Sequence, residues 1–203
     1  MSKLPVMEED AKDPELDNAL RLIENESYDQ AVMFLKMAAQ RNNPSAQYVL
    51  GQMYASGKGV PESMEEAVKW FRKAAENGMP YANADLGVCY FNGMGVDADV
   101  NTALEYFRTA AESNVPEAQL CLGNMYITGD GVKKDQIEAV KWFRKAAERG
   151  NVDAQFNMGA AYENGDGVDK DLNEALRWYR LAAEQGDASA RKMAKRLEKT
   201  LGI

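Results

Sequence analysis

The sequence has no histidine among its 203 residues. This absence excludes the Ser–His and Cys–His pairs that activate many protein nucleophiles, and it excludes histidine-based metal sites. Cysteine is scarce as well, and Cys89 and Cys121 form neither a disulfide framework nor a Cys-x-x-Cys pair. We therefore expect two buried, reduced thiols, no metal site and no cofactor.

Positive charge and long apolar runs are also in short supply. The chain carries 24 Lys and Arg against 32 Asp and Glu, a net charge of −8. This argues against a nucleic-acid partner, whose binding requires cations to displace counterions, and against an anionic membrane surface. No stretch resembles a signal peptide or a bilayer span. With 45% hydrophobic and 28% charged residues, the composition is typical of a folded protein, which we expect to be cytoplasmic.

What the chain does have is an internal repeat. Residues 66–78 read EAVKWFRKAAENG, and residues 138–150 repeat them with one change, 72 positions later. This interval is two periods of 36, because the same residue types return at that spacing between the two copies and around them. The recurring residues include Gly51, Gly87, Gly123 and Gly159, and Tyr54, Tyr90, Tyr126 and Tyr162. A fixed period of about 20–50 residues is typical of stacked repeat proteins.

Each repeat reads as two helices joined by a glycine-rich loop. In the first repeat, Ala46, Leu50 and Met53 form one apolar stripe at helical spacing, and Trp70 and Phe71 belong to another. Side chains suited to cap the second helices recur before them, and prolines suited to a first turn open three of the first helices. These residues are Ser63, Asp99, Asp135 and Asp171 for the caps, and Pro44, Pro80 and Pro116 for the openings.

One such hairpin buries too little surface to fold alone, so neighbouring copies must cover each other. The glycine inside each first helix supports close packing, because glycine there costs about 1 kcal/mol relative to alanine. We expect another helix to pass too near for a β-carbon, and we expect leucine at Gly123 to be badly tolerated.

The period also predicts the domain organisation, an all-α solenoid of about 11 helices in antiparallel hairpins. We expect a disordered acidic tail at the N-terminus, a shorter first hairpin, four full repeats and a polar C-terminal capping helix. The corresponding ranges are 1–13, 14–43, 44–79, 80–115, 116–151, 152–187 and 188–203, and apart from the tail we expect one continuous domain.

The pattern A-x-x-x-L-G-x-x-Y-x-x-G-x-G-V, followed by W-[FY]-x-K-A-A-E-x-G, resembles Sel1-like repeats, relatives of tetratricopeptide repeats. Residues 46–78, 82–112, 118–150 and 154–186 carry it, whereas YDQA (28–31) looks more like a tetratricopeptide turn. The resemblance implies a right-handed superhelix whose first helices line a concave groove. It also implies a non-enzymatic scaffold or adaptor that binds a protein or peptide partner.

If these repeats bind ligands in the same groove as tetratricopeptide repeats do, the candidate binding residues lie at the positions of the first helices that vary between repeats. They are Tyr48, Gln52, Tyr81, Val88, Phe91, Leu120, Asn124, Ile127 and Phe156. Aromatic anchors with a few amides suit an extended peptide or a partner helix. The alternative is that some of these side chains are core, buried against the next repeat. Tyr81 and Phe91 are the stronger candidates.

Other patterns leave alternatives open. Arg72, Arg144 and their equivalents either grip an acidic partner or, as we favour, form i,i+4 pairs with glutamates such as Glu76. SARK (189–192) matches the Ser-x-x-Lys signature of penicillin-recognising enzymes, so a hydrolase using Ser189 and Lys192 is a second hypothesis. An RNA-binding helical repeat is a third, which the negative charge disfavours. We expect a monomer or a weak end-to-end oligomer, since residues 1–17 are acidic and residues 188–203 basic.

Overall fold

The computed structural model describes residues 4–7 and 10–203. Over this part of the chain, eleven α-helices follow one another with no strand between them, after a 3-10 turn at Asp10–Lys12. The helices are α1 (Pro14–Glu24), α2 (Tyr28–Gln40), α3 (Pro44–Ser56), α4 (Met64–Glu76), α5 (Pro80–Asn92), α6 (Val100–Glu112), α7 (Pro116–Thr128), α8 (Gln136–Glu148), α9 (Val152–Asn164), α10 (Leu172–Glu184) and α11 (Ala188–Leu201). The all-α solenoid is confirmed. The first helices of the four repeats are α3, α5, α7 and α9, and the second helices are α4, α6, α8 and α10.

The predicted helix boundaries are confirmed by their caps. The Ser63 hydroxyl accepts the Glu66 N–H at the start of α4, and the Asp135 carboxylate accepts the Glu138 N–H at the start of α8. Asp99 and Asp171 cap α6 and α10 in the same way. Prolines occupy the first turns of α3, α5 and α7. These bonds satisfy amides that a helix leaves unpaired at its N-terminus.

The mid-helix glycines lie against an aromatic ring of the second helix in the same hairpin. A β-carbon on Gly51 would lie 2.6 Å from the ring of Phe71, and one on Gly123 would lie 2.5 Å from the ring of Phe143. Gly87 with Phe107 and Gly159 with Tyr179 repeat the contact. The predicted close approach is confirmed, and its cause is the ring twenty residues further along the chain.

The chain divides into two compact units, Met1–Ala110 and Ala111–Ile203, and the single continuous domain stays a prediction. In the first unit, consecutive helices pack in order from α1 to α5, and large core side chains include Leu35, Leu50 and Phe71. In the second unit, α7 to α11 pack in order, with Phe143 and Met158 among the core residues. Within the runs α1 to α5 and α7 to α11, each helix therefore packs on its neighbour in sequence.

The N-terminal segment differs from the disordered tail expected over residues 1–13. Leu4 and Val6 pack against the core cluster around Leu35, and Met7 packs against the cluster that contains Tyr48. The Met7 N–H donates to the Ser45 hydroxyl at 2.9 Å. Apolar side chains at these positions gain free energy when they leave water. The expectation of disorder was based on the acidic residues of the segment and did not include this contribution. For residues 1–3, 8 and 9, outside the described part of the chain, disorder stays a prediction.

The last helix, α11, is apolar on one side and polar on the other, and its role as a cap stays a prediction. Ala190, Ala194 and Leu197 are buried on one side of α11, whereas Arg191, Lys192 and Lys195 are exposed. A terminal repeat needs such a polar outer face for solubility. None of the helices in the described part of the chain has the length and apolar character needed to cross a bilayer.

Candidate functional site

The most exposed candidate residues of the first unit lie on α5. Tyr81 and Phe91 are each 37% exposed, and Val88 is half-buried between them. These positions fall at i, i+7 and i+10, so they share one side of the helix and extend over about 15 Å. The structure thus presents an apolar, aromatic strip to solvent, which is the form of surface that anchors a partner.

Tyr48 is a core residue rather than an exposed groove residue. It is only 4% exposed, because its ring packs 5.7 Å from Phe71 and 6.4 Å from Tyr81, centroid to centroid. The Gln52 amide nitrogen donates to the Tyr48 hydroxyl at 2.8 Å, and the buried Gln52 Oε1 has no partner among the described residues. Of this pair, Gln52 turns its carbonyl oxygen away from solvent, and Tyr48 packs against the exposed ring of Tyr81.

On α7, in the second unit, the candidate residues combine apolar and amide side chains. Ile127 is 41% exposed, Asn124 is exposed and Leu120 is half-buried against the core. Their spacing, i, i+4 and i+7, places them on one side of the helix. The predicted combination of an apolar surface with an amide is therefore present on this helix.

Phe156 on α9 is half-buried and already has an aromatic partner. Its ring lies 5.4 Å from that of Tyr179, whose hydroxyl donates to Glu163 Oε2 at 3.1 Å. Burial, together with the negative charge of Glu163, raises the pKa of Tyr179. Glu163 is also ion-paired with Arg196 of α11. Phe156 thus belongs to a supported network, with only part of its ring available to a ligand.

Arg72, Arg144 and Arg180 of the recurring arginines contact residues other than the glutamates predicted at i,i+4. Arg72 donates to the Tyr90 hydroxyl at 2.6 Å, and Arg144 donates to the Tyr162 hydroxyl at 2.7 Å. Arg180 makes the corresponding contact with Glu198, which replaces the tyrosine in α11. In each case the partner lies eighteen residues ahead, on the first helix of the following repeat or, for Arg180, on α11. The interpretation as structural residues holds, but the arginines join successive repeats.

Sequence reasoning missed a set of buried glutamines on the first helices. Gln47, Gln119 and Gln155 each donate from Nε2 to the backbone carbonyl eight residues earlier, on the preceding second helix. The Gln47 carbonyl oxygen accepts from Asn77, and that of Gln155 accepts from Gln185. They occupy the same position of the 36-residue repeat, with Asn83 in that position of the second repeat. This register was the signal that could have identified them, since buried amides in register indicate a repeated bond.

The structure gives no support to the hydrolase hypothesis. Ser189 and Lys192 both lie on α11, and both are exposed. A catalytic serine–lysine pair requires a sheltered lysine that can lose its proton and accept one from the serine. Within the described residues, no group of three or more acidic or cysteine side chains is placed to hold a metal ion.

Comparison with protein families identified one recurrent unit. A model of the Sel1 repeat matches residues 23–43, 44–79, 80–115, 116–151 and 152–187. The last four stretches coincide with the repeats predicted from the period, and the first lies in the N-terminal hairpin whose turn resembles a tetratricopeptide repeat. The comparison with curated proteins gave no match.

Solved structures with similar folds include a Sel1 repeat protein from Oxalobacter formigenes, at 35% identity and a TM-score of 0.82, over 89% of this chain and 72% of that one. A protective antigen with an SLR fold from uropathogenic Escherichia coli is 36% identical, with a TM-score of 0.84. That match covers 92% of this chain but 41% of the antigen. An immunity protein from Pseudomonas aeruginosa is 21% identical, with a TM-score of 0.61 over 97% of this chain and 80% of its own, which shows the fold alone.

Proposed function

Because the chain belongs to the Sel1 repeat family, whose members generally mediate protein–protein contacts, we propose that it is a non-enzymatic interaction scaffold. It binds a peptide or partner protein through the exposed side of its first helices. The observation that carries this proposal is the pair of exposed aromatic rings, Tyr81 and Phe91, on α5.

Tyr81 and Phe91 expose aromatic surface that a partner can cover. Burying an aromatic side chain removes about 150–250 Å² of surface from water, so two rings and Val88 offer a sizeable anchor. The equivalent positions on α7 and α9 hold Glu117 and Ile127, and Asp153 and Glu163. The surface therefore changes from repeat to repeat although the core does not, which favours a specific partner over a structural requirement.

The test is an affinity capture from native cytosol with two full-length double variants beside the wild type. Tyr81→Glu with Phe91→Glu places two charges on the proposed surface. Met33→Glu with Met37→Glu is the matched control, because these residues are exposed apolar side chains of α2 in the same unit, 56% and 43% accessible. Circular dichroism checks that all three proteins remain helical.

We expect a protein that is retained by the wild type and the methionine variant and lost from the Tyr81/Phe91 variant. Two charges in an interface core remove apolar burial and leave unpaired carboxylates, so binding should weaken by at least a hundredfold. A partner retained by all three proteins would contradict the proposed surface. A partner lost only from the methionine variant would move the site to α2.

A further inference from the structure

The N-terminal segment Leu4–Met7 is seated at the start of α3, and we propose that it is a tethered ligand occupying a peptide-binding site of the first repeat. The external ligand of this site is an extended peptide with an apolar stretch and an acidic residue. In this peptide, as in the segment, the acidic residue lies three positions after the residue whose N–H donates to the Ser45 hydroxyl. This inference rests on the proposed function, because it specifies the chemistry of a partner and what limits its access.

The apolar half of the contact resembles a bound peptide. Leu4, Pro5, Val6 and Met7 are all half-buried and form no helix or strand. Leu4 and Val6 pack on one core cluster and Met7 on the next, while the Met7 N–H donates to the Ser45 hydroxyl at 2.9 Å. Side-chain contacts joined to a main-chain hydrogen bond are how extended peptides are commonly recognised.

The acidic half of the contact uses the first turn of α3. The Asp10 carboxylate accepts from the Ser45 hydroxyl at 2.6 Å and from the Ser45 N–H at 3.2 Å. The Asn43 side chain already caps Ala46, so Asp10 satisfies a second free amide at this end of the helix. A carboxylate there also interacts favourably with the helix dipole.

The equivalent positions of the other repeats show that this seat is not a general requirement of the fold. Tyr81, Glu117, Asp153 and Ser189 occupy the place of Ser45 in the later helices, and all four are exposed. Ser45 is 0% exposed, although the same amino acid at position 189 is open to solvent. The first repeat alone therefore combines a short hydroxyl side chain with a segment that covers it.

Tethering gives the segment an advantage over any free peptide. A short tether produces an effective concentration of about 1 mM, so a free peptide of equal intrinsic affinity is excluded at micromolar concentrations. Weakening the segment should therefore open the site. A partner with the stated chemistry must compete with Leu4–Met7 and Asp10 before it binds.

The experiment uses the full-length chain and a fluorescent synthetic peptide of residues 2–12, SKLPVMEEDAK, read by anisotropy. Leu4→Asp with Val6→Asp should release the segment and tighten peptide binding at least tenfold relative to wild type. Adding Ser45→Ala to that variant should weaken peptide binding again by about tenfold, since the hydroxyl's charge-assisted bond to the carboxylate and its bond from the peptide N–H are lost. Lys12→Asp, an exposed change beside the segment, is the control and should leave binding as in wild type.

Equal binding by the wild type and the Leu4/Val6 variant, or no binding by that variant when folded, would overturn the inference. If circular dichroism shows the double variant unfolded, Asp10→Ala replaces it, and unchanged peptide affinity in that variant overturns the inference equally. Failure of this inference can be distinguished from failure of the proposed function. The peptide assay depends on Ser45, whereas the capture experiment depends on Tyr81 and Phe91.

Discussion

Gly123 is constrained chiefly by a neighbouring ring. A β-carbon at this position would lie 2.5 Å from Phe143 Cε1 and 3.2 Å from the Ala139 carbonyl oxygen. In an open helix, alanine in place of glycine stabilises by about 1 kcal/mol. Here we expect Gly123→Ala to destabilise instead, by about 1–3 kcal/mol, because overpacking displaces the ring. Urea unfolding followed by circular dichroism measures the sign directly.

The matched control for Gly123→Ala is a double-mutant cycle with Phe143→Leu. The smaller side chain removes the ring that meets the new methyl group, so the double variant should lose less stability than the sum of the two single changes. Additive effects would contradict the steric explanation. So would a gain in stability from Gly123→Ala alone.

The two cysteines are expected to react slowly in the folded protein. Burial raises the pKa of both thiols to about 11, and the nearby negative charges of Asp85 and Glu117 contribute for Cys89 and Cys121 respectively. Only the thiolate is an effective nucleophile, so raising the pKa by two units lowers the reactive fraction at pH 8 about a hundredfold. Iodoacetamide labelling followed by mass spectrometry should show slow modification at pH 8 that accelerates as the pH approaches 11.

Denatured protein is the control for the cysteines, and both should then label at the rate of a free thiol. Rapid labelling of either cysteine in the native state at pH 8 would contradict this account. It would also reopen a redox role for that residue.

At the scale of the helices, the buried glutamines connect three successive helices through hydrogen bonds of their side-chain amides. One of these glutamines, Gln119, lacks a hydrogen bond to its side-chain oxygen within the described part of the chain. Gln119 Nε2 donates to the Ala111 carbonyl at 3.0 Å, but Gln119 Oε1 has no partner among the described residues. Arg149 occupies the place that Gln185 fills for Gln155, and it donates to the Asn114 side chain instead. We expect Arg149→Gln to supply the missing amide and to raise the free energy of unfolding by about 0.5–1.5 kcal/mol.

The reverse change checks the same bond where it exists. Gln185→Ala leaves the carbonyl oxygen of the buried Gln155 unpaired and should lower the free energy of unfolding by about 1–3 kcal/mol. Thermal unfolding of the two variants and the wild type should therefore move the midpoints in opposite directions. Destabilisation by both changes would contradict the proposed role of the amide at this position.

Helices and caps could be predicted from the sequence because their causes are local and repeated. A cap at Ser63 or Asp135 requires only the backbone N–H three residues later. The spacing of the glycines indicates the position of each loop. The partner of Arg72 could not be predicted, because Tyr90 lies on the next repeat and depends on how hairpins stack. Arg72 and Tyr90 both recur at the 36-residue period, but helical spacing alone favoured the nearer Glu76 as the partner of Arg72.

The candidate surface was only partly predictable for the same reason. Tyr81 and Phe91 could be selected as aromatics without counterparts in the other repeats, and both are exposed. Tyr48 was a weaker candidate, for which burial against the next repeat was the alternative, and the rings of Phe71 and Tyr81 pack against it. The position at which Leu4–Met7 packs could not be predicted, because a segment that occurs once has no period to indicate where it lies.

At the scale of the whole molecule, opposite charges at the two ends of the sequence suggested weak end-to-end association. The structure gives several of these charges partners within the chain. Arg41 pairs with Asp13 at 2.9 Å and with Glu15 at 2.6 Å, and Arg196 pairs with Glu163. Charges that already have partners contribute little further attraction, and exposed ones are screened by salt.

We therefore expect a monomer whose mass, measured by light scattering after size exclusion, is independent of salt. The comparison should be made at about 20 mM and about 300 mM salt, between which the screening length falls severalfold. A mass that rises with protein concentration at low salt, and returns to that of one chain at high salt, would contradict this expectation. Lys192→Glu with Lys195→Glu, two exposed changes on α11, would then abolish the association if the basic end forms the contact. If those changes leave it intact, the association arises from another surface.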